Sequence, residues 1–321
     1  MRAMLVVNPN ATSTTAAARD VIAGALSSRL SLRVEHTDHR GHGAELARQA
    51  VADGVALVVV HGGDGTVNEV VNGLLGPAGP GWERGDQVPA VAVVPGGSAN
   101  VFARSLGLSA DPLVATQQLL TAADTRTLRE IGLGGADDRW FLFNAGLGWD
   151  ADVVHAVDQR RNRGKEATPG RYFRATVRHF LRSAAHPARL TVCLPGEEPV
   201  PDVHMTFVTG TDPWTYLGRR PVHTNPGTTF DSGLGLFGVT SLGVPTIARV
   251  VPQILSRHGN PHARRLLRRD DVPEVRVHCA QPTGLQLDGE YLGDRDDVHF
   301  YRVRNALRVL VPRASTSPER P

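Results

Sequence analysis

Val58-Val59-Val60-His61-Gly62-Gly63-Asp64-Gly65-Thr66-Val67-Asn68-Glu69 decides the fold. A continuous apolar run, Val55 to Val60, is the pattern of a strand buried on both faces. Three glycines then break it, and Thr66 to Leu75 follows with helical spacing. Glycine lets backbone approach a ligand with no Cβ in the way. A helix N-terminus adds unpaired N–H groups and the positive end of a dipole. The stretch therefore reads as a strand, an anion-binding loop and a helix, most naturally for phosphates. Thr66 and Glu69 have capping-box spacing. Asp64 is an odd residue for a phosphate loop, because a carboxylate repels phosphate. It makes sense if it works through a metal or positions the turn.

The same unit recurs on either side. Downstream, Val91 to Val94 is a buried strand, followed by Pro95-Gly96-Gly97-Ser98-Ala99-Asn100 and a helix to about Ser105, with Ser98 as a candidate cap and phosphate contact. Upstream, Ala3 to Val7 runs into the polar turn Asn8-Pro9-Asn10-Ala11-Thr12. Helices over Thr14 to Arg29 and Gly43 to Asp53 bracket a strand at Leu32 to His36. Alternating strands and helices imply a parallel sheet covered on both faces, with all three polar loops at its carboxyl edge.

Past residue 127 the pattern changes to short strands and turns: 140–144, 190–194, 204–208, 234–240, 274–279, 284–287 and 298–300. Helical insertions are expected at 171–183 and 246–255, and a last strand at 305–311. This predicts a mainly antiparallel second domain over 128–302. The α/β domain would be 1–127, with 303–312 returning to it and 313–321 a disordered tail. Gly233-Leu234-Gly235-Leu236-Phe237-Gly238 matches a dinucleotide fingerprint in letters, but it lies within an expected strand and carries no such function. Leu285-Gln286-Leu287-Asp288-Gly289-Glu290 reads in two ways. Asp-Gly is a hairpin signal, and a carboxylate there can accept a proton from a substrate hydroxyl. From Arg160 to Arg182, Arg171, Arg174, Arg178 and Arg182 share one helical face beside an apolar stripe. That suits an anionic membrane surface, or a core-packed helix with solvated arginines.

Composition excludes several chemistries. Of the 321 residues, 35 are Lys or Arg and 32 are Asp or Glu, a balance that does not suggest a nucleic-acid partner. Lys165 is the one lysine. A P-loop and a protein-kinase strand lysine are therefore absent. Cys193 and Cys279 form no C-x-x-C pair, which fits a reduced compartment. No apolar run reaches the length of a membrane span.

Taken together, the motifs resemble the bacterial diacylglycerol kinase and lipid kinase family, related to sphingosine kinases. The matching pieces are Asn8-Pro9, Gly62 to Thr66 with Asn68-Glu69, Pro95 to Asn100, Phe143-Asn144-Ala145-Gly146-Leu147-Gly148 and Asp288-Gly289-Glu290, in the family's order. The G-G-D-G-T motif is shared with NAD kinases. The resemblance implies a Rossmann-like α/β domain, a β-sandwich-like second domain, and ATP in a cleft. It would place ATP against Asn8, Asn10, Thr12, Thr37, Gly62, Gly63, Asp64, Gly65, Thr66, Asn68, Glu69, Gly97 and Ser98. Glu290 would be the proton acceptor, supported by Asp288, with Mg²⁺ neutralising the transferring phosphoryl group and Asp231 as a metal ligand. The acceptor would be a lipid with a free hydroxyl. The protein would be cytoplasmic and peripheral at the inner membrane surface, and a homodimer is compatible with the family.

Three positions depart from the family pattern. Val101 stands where Asp is frequent, Glu130 replaces an Asp leading into the second domain, and Ser232 replaces one carboxylate of the D-D-G stretch. Two alternatives to a lipid kinase stay open: a kinase of NAD or another small metabolite, and a non-catalytic nucleotide- or lipid-binding regulator, which the changes at Val101 and Ser232 motivate.

Overall fold

A computed structural model describes residues 1–12, 15–148 and 189–312. The basic segment 160–182 and the tail 313–321 lie outside the described residues. The chain divides into two compact units: Met1–Leu133 with Arg304–Pro321, and Gly134–Val303.

The first unit alternates β1 (Arg2–Val7), α1 (Ala16–Ser27), β2 (Ser31–His36), α2 (His42–Ala52), β3 (Leu57–Gly62), α3 (Asp64–Leu75) and β4 (Ala90–Pro95). Then come α4 (Val101–Ser105) and α5 (Pro112–Thr125). The strands pair in parallel in the order β4-β3-β1-β2. The end of the last strand, β16 (Glu290–Leu310), joins β4 in parallel through Val309 and Val91. β3 and β4 are buried along their whole length, as their unbroken apolar runs require. β2 is an edge strand and correspondingly exposed. β1 leads by way of α1 to β2 on one side, while β3 lies on its other side. The strand order therefore reverses at β1, and ligands of open α/β sheets bind at such a reversal, off the carboxyl ends of the strands.

Helix ends follow local chemistry. Thr15 caps α1 by accepting from Ala18 N. Asp111 caps α5 by accepting from Leu113 N and Val114 N, with Pro112 in the first turn. The second helix loop is capped differently from expectation. Asn100, not Ser98, is the N-cap of α4, at φ 49°, a backbone region that Asn tolerates.

The second unit is antiparallel. β14 (Leu266–Val272), β13 (Leu234–Val239), β10 (Met205–Thr209), β7 (Asn144–Gly148), β15 (Glu274–Leu287) and β16 lie side by side in that order. β8 (Leu190–Cys193) also pairs with β15. Two expected strand pairs merge into longer ones. 274–279 and 284–287 are one strand, β15, with an irregular register between His278 and Thr283 around Pro282. 298–300 and 305–311 fall on the 21-residue β16 and its end. The G-x-G-x-x-G look-alike is strand β13, as its flanks imply. Two hydrophobic clusters fill this unit. One surrounds Phe141, Leu147, Val192, Leu236 and Phe300. The other, Met205, Phe207, Phe237, Val239, Leu242 and Val250, is covered by α6 (Val244–Ile254).

Candidate active site

Three loops of the first unit meet at the strand reversal. Asn8 is tied to β3 by its N–H, which donates to His61 O at 3.0 Å, and its side-chain amide donates to Thr66 Oγ1 at 2.9 Å. Its Oδ1 accepts Asn10 N at 2.9 Å, closing the turn after β1. Thr37, at the end of β2, is buried, and its N–H donates to Val7 O at 2.9 Å. The loops after β1, β2 and β3 are thus fixed to each other by backbone and short polar side chains. Thr12 is exposed beside them.

Gly63 and Gly97 bring the other two loops into contact. A Cβ on Gly97 would lie 2.7 Å from Gly63 Cα, closer than packed carbon atoms approach, and one on Gly63 would lie 3.3 Å from Gly97 Cα. Gly96 N donates to Gly62 O at 2.8 Å. Gly97 is held from the other side by Asn100, which accepts its N–H at 2.8 Å and donates to its carbonyl at 2.7 Å. Gly63 is the N-cap of α3, and no side chain caps that helix. Gly65 is exposed, with nothing within 4 Å of where its Cβ would stand. The result is a glycine-walled floor beneath a helix N-terminus left open to an anion. The residues present therefore fit a phosphate chain.

Asp64 positions the turn. Its two carboxylate oxygens accept Val101 N at 3.0 Å and Phe102 N at 3.1 Å, so a residue of the first glycine loop caps the helix of the second. Burial pushes its carboxyl above the usual range, against the pull of these backbone donors and of the Arg104 charge. The arrangement also accounts for Val101. Its side chain is buried and apolar, and its N–H is what Asp64 holds. Glu69 is likewise engaged within the protein. Thr66 is three residues inside α3, so no capping box forms, and Glu69 accepts Gly41 N at 2.9 Å and Gly43 N at 3.2 Å at the start of α2. Asn68 is buried, and its Oδ1 and carbonyl accept the Asn72 amide at 3.0 Å.

In the second unit the hairpin reading of the Asp-Gly pair holds. Leu287 pairs with Glu290 across a two-residue turn in which Asp288 has φ 51° and Gly289 φ 83°. Positive φ at both positions is the hairpin geometry that favours Asp-Gly. The buried Asp288 carboxylate also accepts three backbone N–H groups: Leu142 at 2.7 Å, Phe143 at 3.0 Å and Asn144 at 3.1 Å. Gln286 completes the frame. Its amide donates to Asn144 Oδ1 at 3.0 Å, and its Oε1 accepts Gly289 N at 2.8 Å. Phe143-Asn144 and Asp288-Gly289-Glu290, 145 residues apart in sequence, are one structure. Sequence reasoning missed Gln286, although alternation along β15 puts it on the face of Asp288. Glu290, half-buried, opens β16 directly after the turn.

Asp231 lies in an exposed turn, where its N–H donates to Thr229 Oγ1 at 3.3 Å. Ser232 caps the same turn by accepting Thr229 N at 2.9 Å, and Asp271 Oδ1 accepts Gly233 N at 2.6 Å. Among the described residues, Asp231 belongs to no group of three ligand atoms close enough to hold an ion. The one such group is Asp38, His39 and His42.

Residues 2–130 match the diacylglycerol kinase catalytic domain family. A Chromohalobacter salexigens protein named "Probable lipid kinase YegS-like" is 38% identical over 126 residues, which is 39% of this chain and 37% of that one. The match thus spans little more than a third of that relative's length. A protein of the same name from Pseudomonas aeruginosa is 29% identical over 291 residues, 89% of this chain and 86% of the relative. The crystal structure of a diacylglycerol kinase from Bacillus anthracis covers 98% of this chain and 97% of its own, with TM-score 0.70 at 18% identity, a likeness of fold. No helix among the described residues is long and apolar enough to cross a membrane.

Proposed function

We propose, from the match of residues 2–130 to the diacylglycerol kinase catalytic domain family, that the protein is an ATP-dependent lipid kinase. It transfers the γ-phosphoryl group to the free hydroxyl of diacylglycerol or a similar lipid. The observation that carries this reading is the floor made by Gly63 and Gly97 beneath the uncapped N-terminus of α3. Backbone N–H groups there would hold the ATP phosphates without a lysine, in keeping with a chain that has one. Asn8 and Thr66 would fix the rim of the same floor, and Asp64 would set the two glycine loops relative to each other.

Glu290 would accept the proton from the lipid hydroxyl as that oxygen attacks the phosphorus in line. Asp288 would not touch substrate, because its oxygens hold the backbone of residues 142–144. It would fix the turn from which Glu290 projects. Mg²⁺ would arrive with the nucleotide, bound mainly by phosphate oxygens and water, as is usual for this ion. No step requires Asp231.

The test is phosphate transfer from labelled ATP with Mg²⁺ to diacylglycerol, monoacylglycerol, ceramide, sphingosine and NAD, run for the wild type and Glu290→Gln. Transfer to one of the lipids, lost in the variant, is the expected result. Transfer to NAD alone, or transfer that Glu290→Gln leaves intact, overturns the proposal.

A further inference from the structure

Helix α6 carries apolar side chains around more of its circumference than the core covers. Ile247, Val250 and Ile254 pack on the Phe207–Phe237 cluster, and Val250 is 3% exposed. Val244, Ala248 and Val251 repeat at the i, i+4, i+7 spacing of a second row and face outward, Val244 82% and Val251 42% exposed. A single exposed valine needs no explanation. A row of them on a helix already buried along its other row is an unpartnered face.

Charge around this face is one-sided. Residues 243–269 contain six arginines, two histidines and no Asp or Glu. Arg268 and Arg269 pair with Asp270 and Glu197. Arg249, Arg257, Arg264 and Arg265 are exposed, and no carboxylate among the described residues lies within 4.0 Å of them. The whole chain is nearly balanced, at 35 basic to 32 acidic side chains, so the local excess is not a general property of its surface.

We infer that α6 and the loop after it form a docking surface for an anionic lipid bilayer. Val244 and Val251 enter the boundary between headgroups and acyl chains, and the four arginines meet the anionic headgroups. Aliphatic side chains beside uncompensated arginines are the pattern of a helix lying in a membrane interface. The outward row holds none of the Trp or Tyr anchors that dominate protein–protein hot spots. The surface lies outside the segment 160–182. It also goes beyond the proposed reaction, since it needs no phosphoryl transfer.

The experiment is co-sedimentation of the full chain with vesicles of phosphatidylcholine alone and with about one-third phosphatidylglycerol, at low and high salt. A basic residue at an anionic surface contributes about 1 kcal/mol, roughly fivefold in affinity. Arg264→Glu/Arg265→Glu is therefore expected to weaken binding to the anionic vesicles at least about tenfold. Val244→Glu/Val251→Glu should abolish the binding that survives high salt, where charge attraction is screened. All four positions are exposed, so thermal melting should not change, and a shared melting curve shows that the variants fold. Phosphoryl transfer to diacylglycerol in detergent micelles, measured alongside, separates failure of this surface from failure of the kinase reading. Vesicle binding equal in wild type and both double variants overturns the inference. So does binding lost only on changing Arg171, Arg174, Arg178 and Arg182, or binding to neutral and anionic vesicles alike. An α6 face that instead captures a protein partner, with no vesicle binding, also overturns it.

Discussion

Two carboxylates one residue apart, Asp288 and Glu290, are assigned different work by their surroundings. Asp288 is buried with three backbone donors on its oxygens. Asp288→Ala strands all three N–H groups and is expected to cost roughly 3–5 kcal/mol, read as a fall in the urea midpoint. Glu290 sits half-buried beyond the turn. Glu290→Gln keeps size and shape, so stability should stay within about 0.5 kcal/mol while kcat falls roughly 10²–10⁴-fold. Equal losses of stability in the two variants would make Glu290 a structural residue. The D-G-E spacing made this turn legible in the sequence. The partners of Asp288 were not legible, because residues 142–144 are brought to it only by the pairing of β15 with β7. Asp64 is a similar case. Its two candidate roles were readable, but choosing between them needed the N–H groups of Val101 and Phe102, 37 and 38 residues on.

Elements were most legible where local chemistry alone decides them. Each buried strand of the first unit, β1, β3 and β4, ends in a glycine or asparagine loop that leads into a helix. Helix α5 was missed despite Asp111-Pro112, a start signal of cap and first-turn proline. The long strands β15 and β16 were cut short because Pro282 and charged, exposed positions interrupt their alternation. The glycines can be tested by their surroundings. Gly97→Ala puts a methyl 2.7 Å from Gly63 Cα, backbone that cannot move aside cheaply. A loss of about 1–3 kcal/mol is expected, together with weaker ATP binding by calorimetry. Gly65→Ala meets nothing within 4 Å and lies in the first turn of α3. Its stability should hold or rise slightly, since alanine restricts the unfolded chain. Its ATP affinity should still fall about tenfold, because the methyl enters the space proposed for phosphate. Unchanged affinity in Gly65→Ala would move the nucleotide away from this helix end.

At the scale of the whole molecule, one buried group in each unit ties stability to pH, with opposite sign. His61, in β3 of the first unit, is fully buried and donates from Nδ1 to Val94 O at 3.2 Å. Burial depresses its pKa. The unfolded chain takes up this proton near pH 6.5, so the stability His61 contributes is present above that pH and is lost as pH falls below it. Asp64 works against this limb, because its raised carboxyl favours the native state on protonation. A difference measurement is therefore needed, and His61→Asn, which keeps a donor, should flatten the fall in melting temperature below about pH 6.5 relative to the wild type. Tyr301, in β16 of the second unit, is 4% exposed and donates to Asp137 O at 2.6 Å. Burial, then the carboxylates of Asp137 and Asp138, push it up to about 12. Its contribution is complete below about pH 10, the unfolded value, and is lost as pH rises from there through about 12. Tyr301→Phe should lower the melting temperature at neutral pH by removing the hydrogen bond, yet flatten the alkaline limb. Phenolate absorbance in the wild type should show one tyrosine titrating together with unfolding. Wild type and Tyr301→Phe falling in parallel above about pH 10 would mean that this phenol ionises without opening the strand pair β15–β16, and that the alkaline limit of the second unit lies elsewhere.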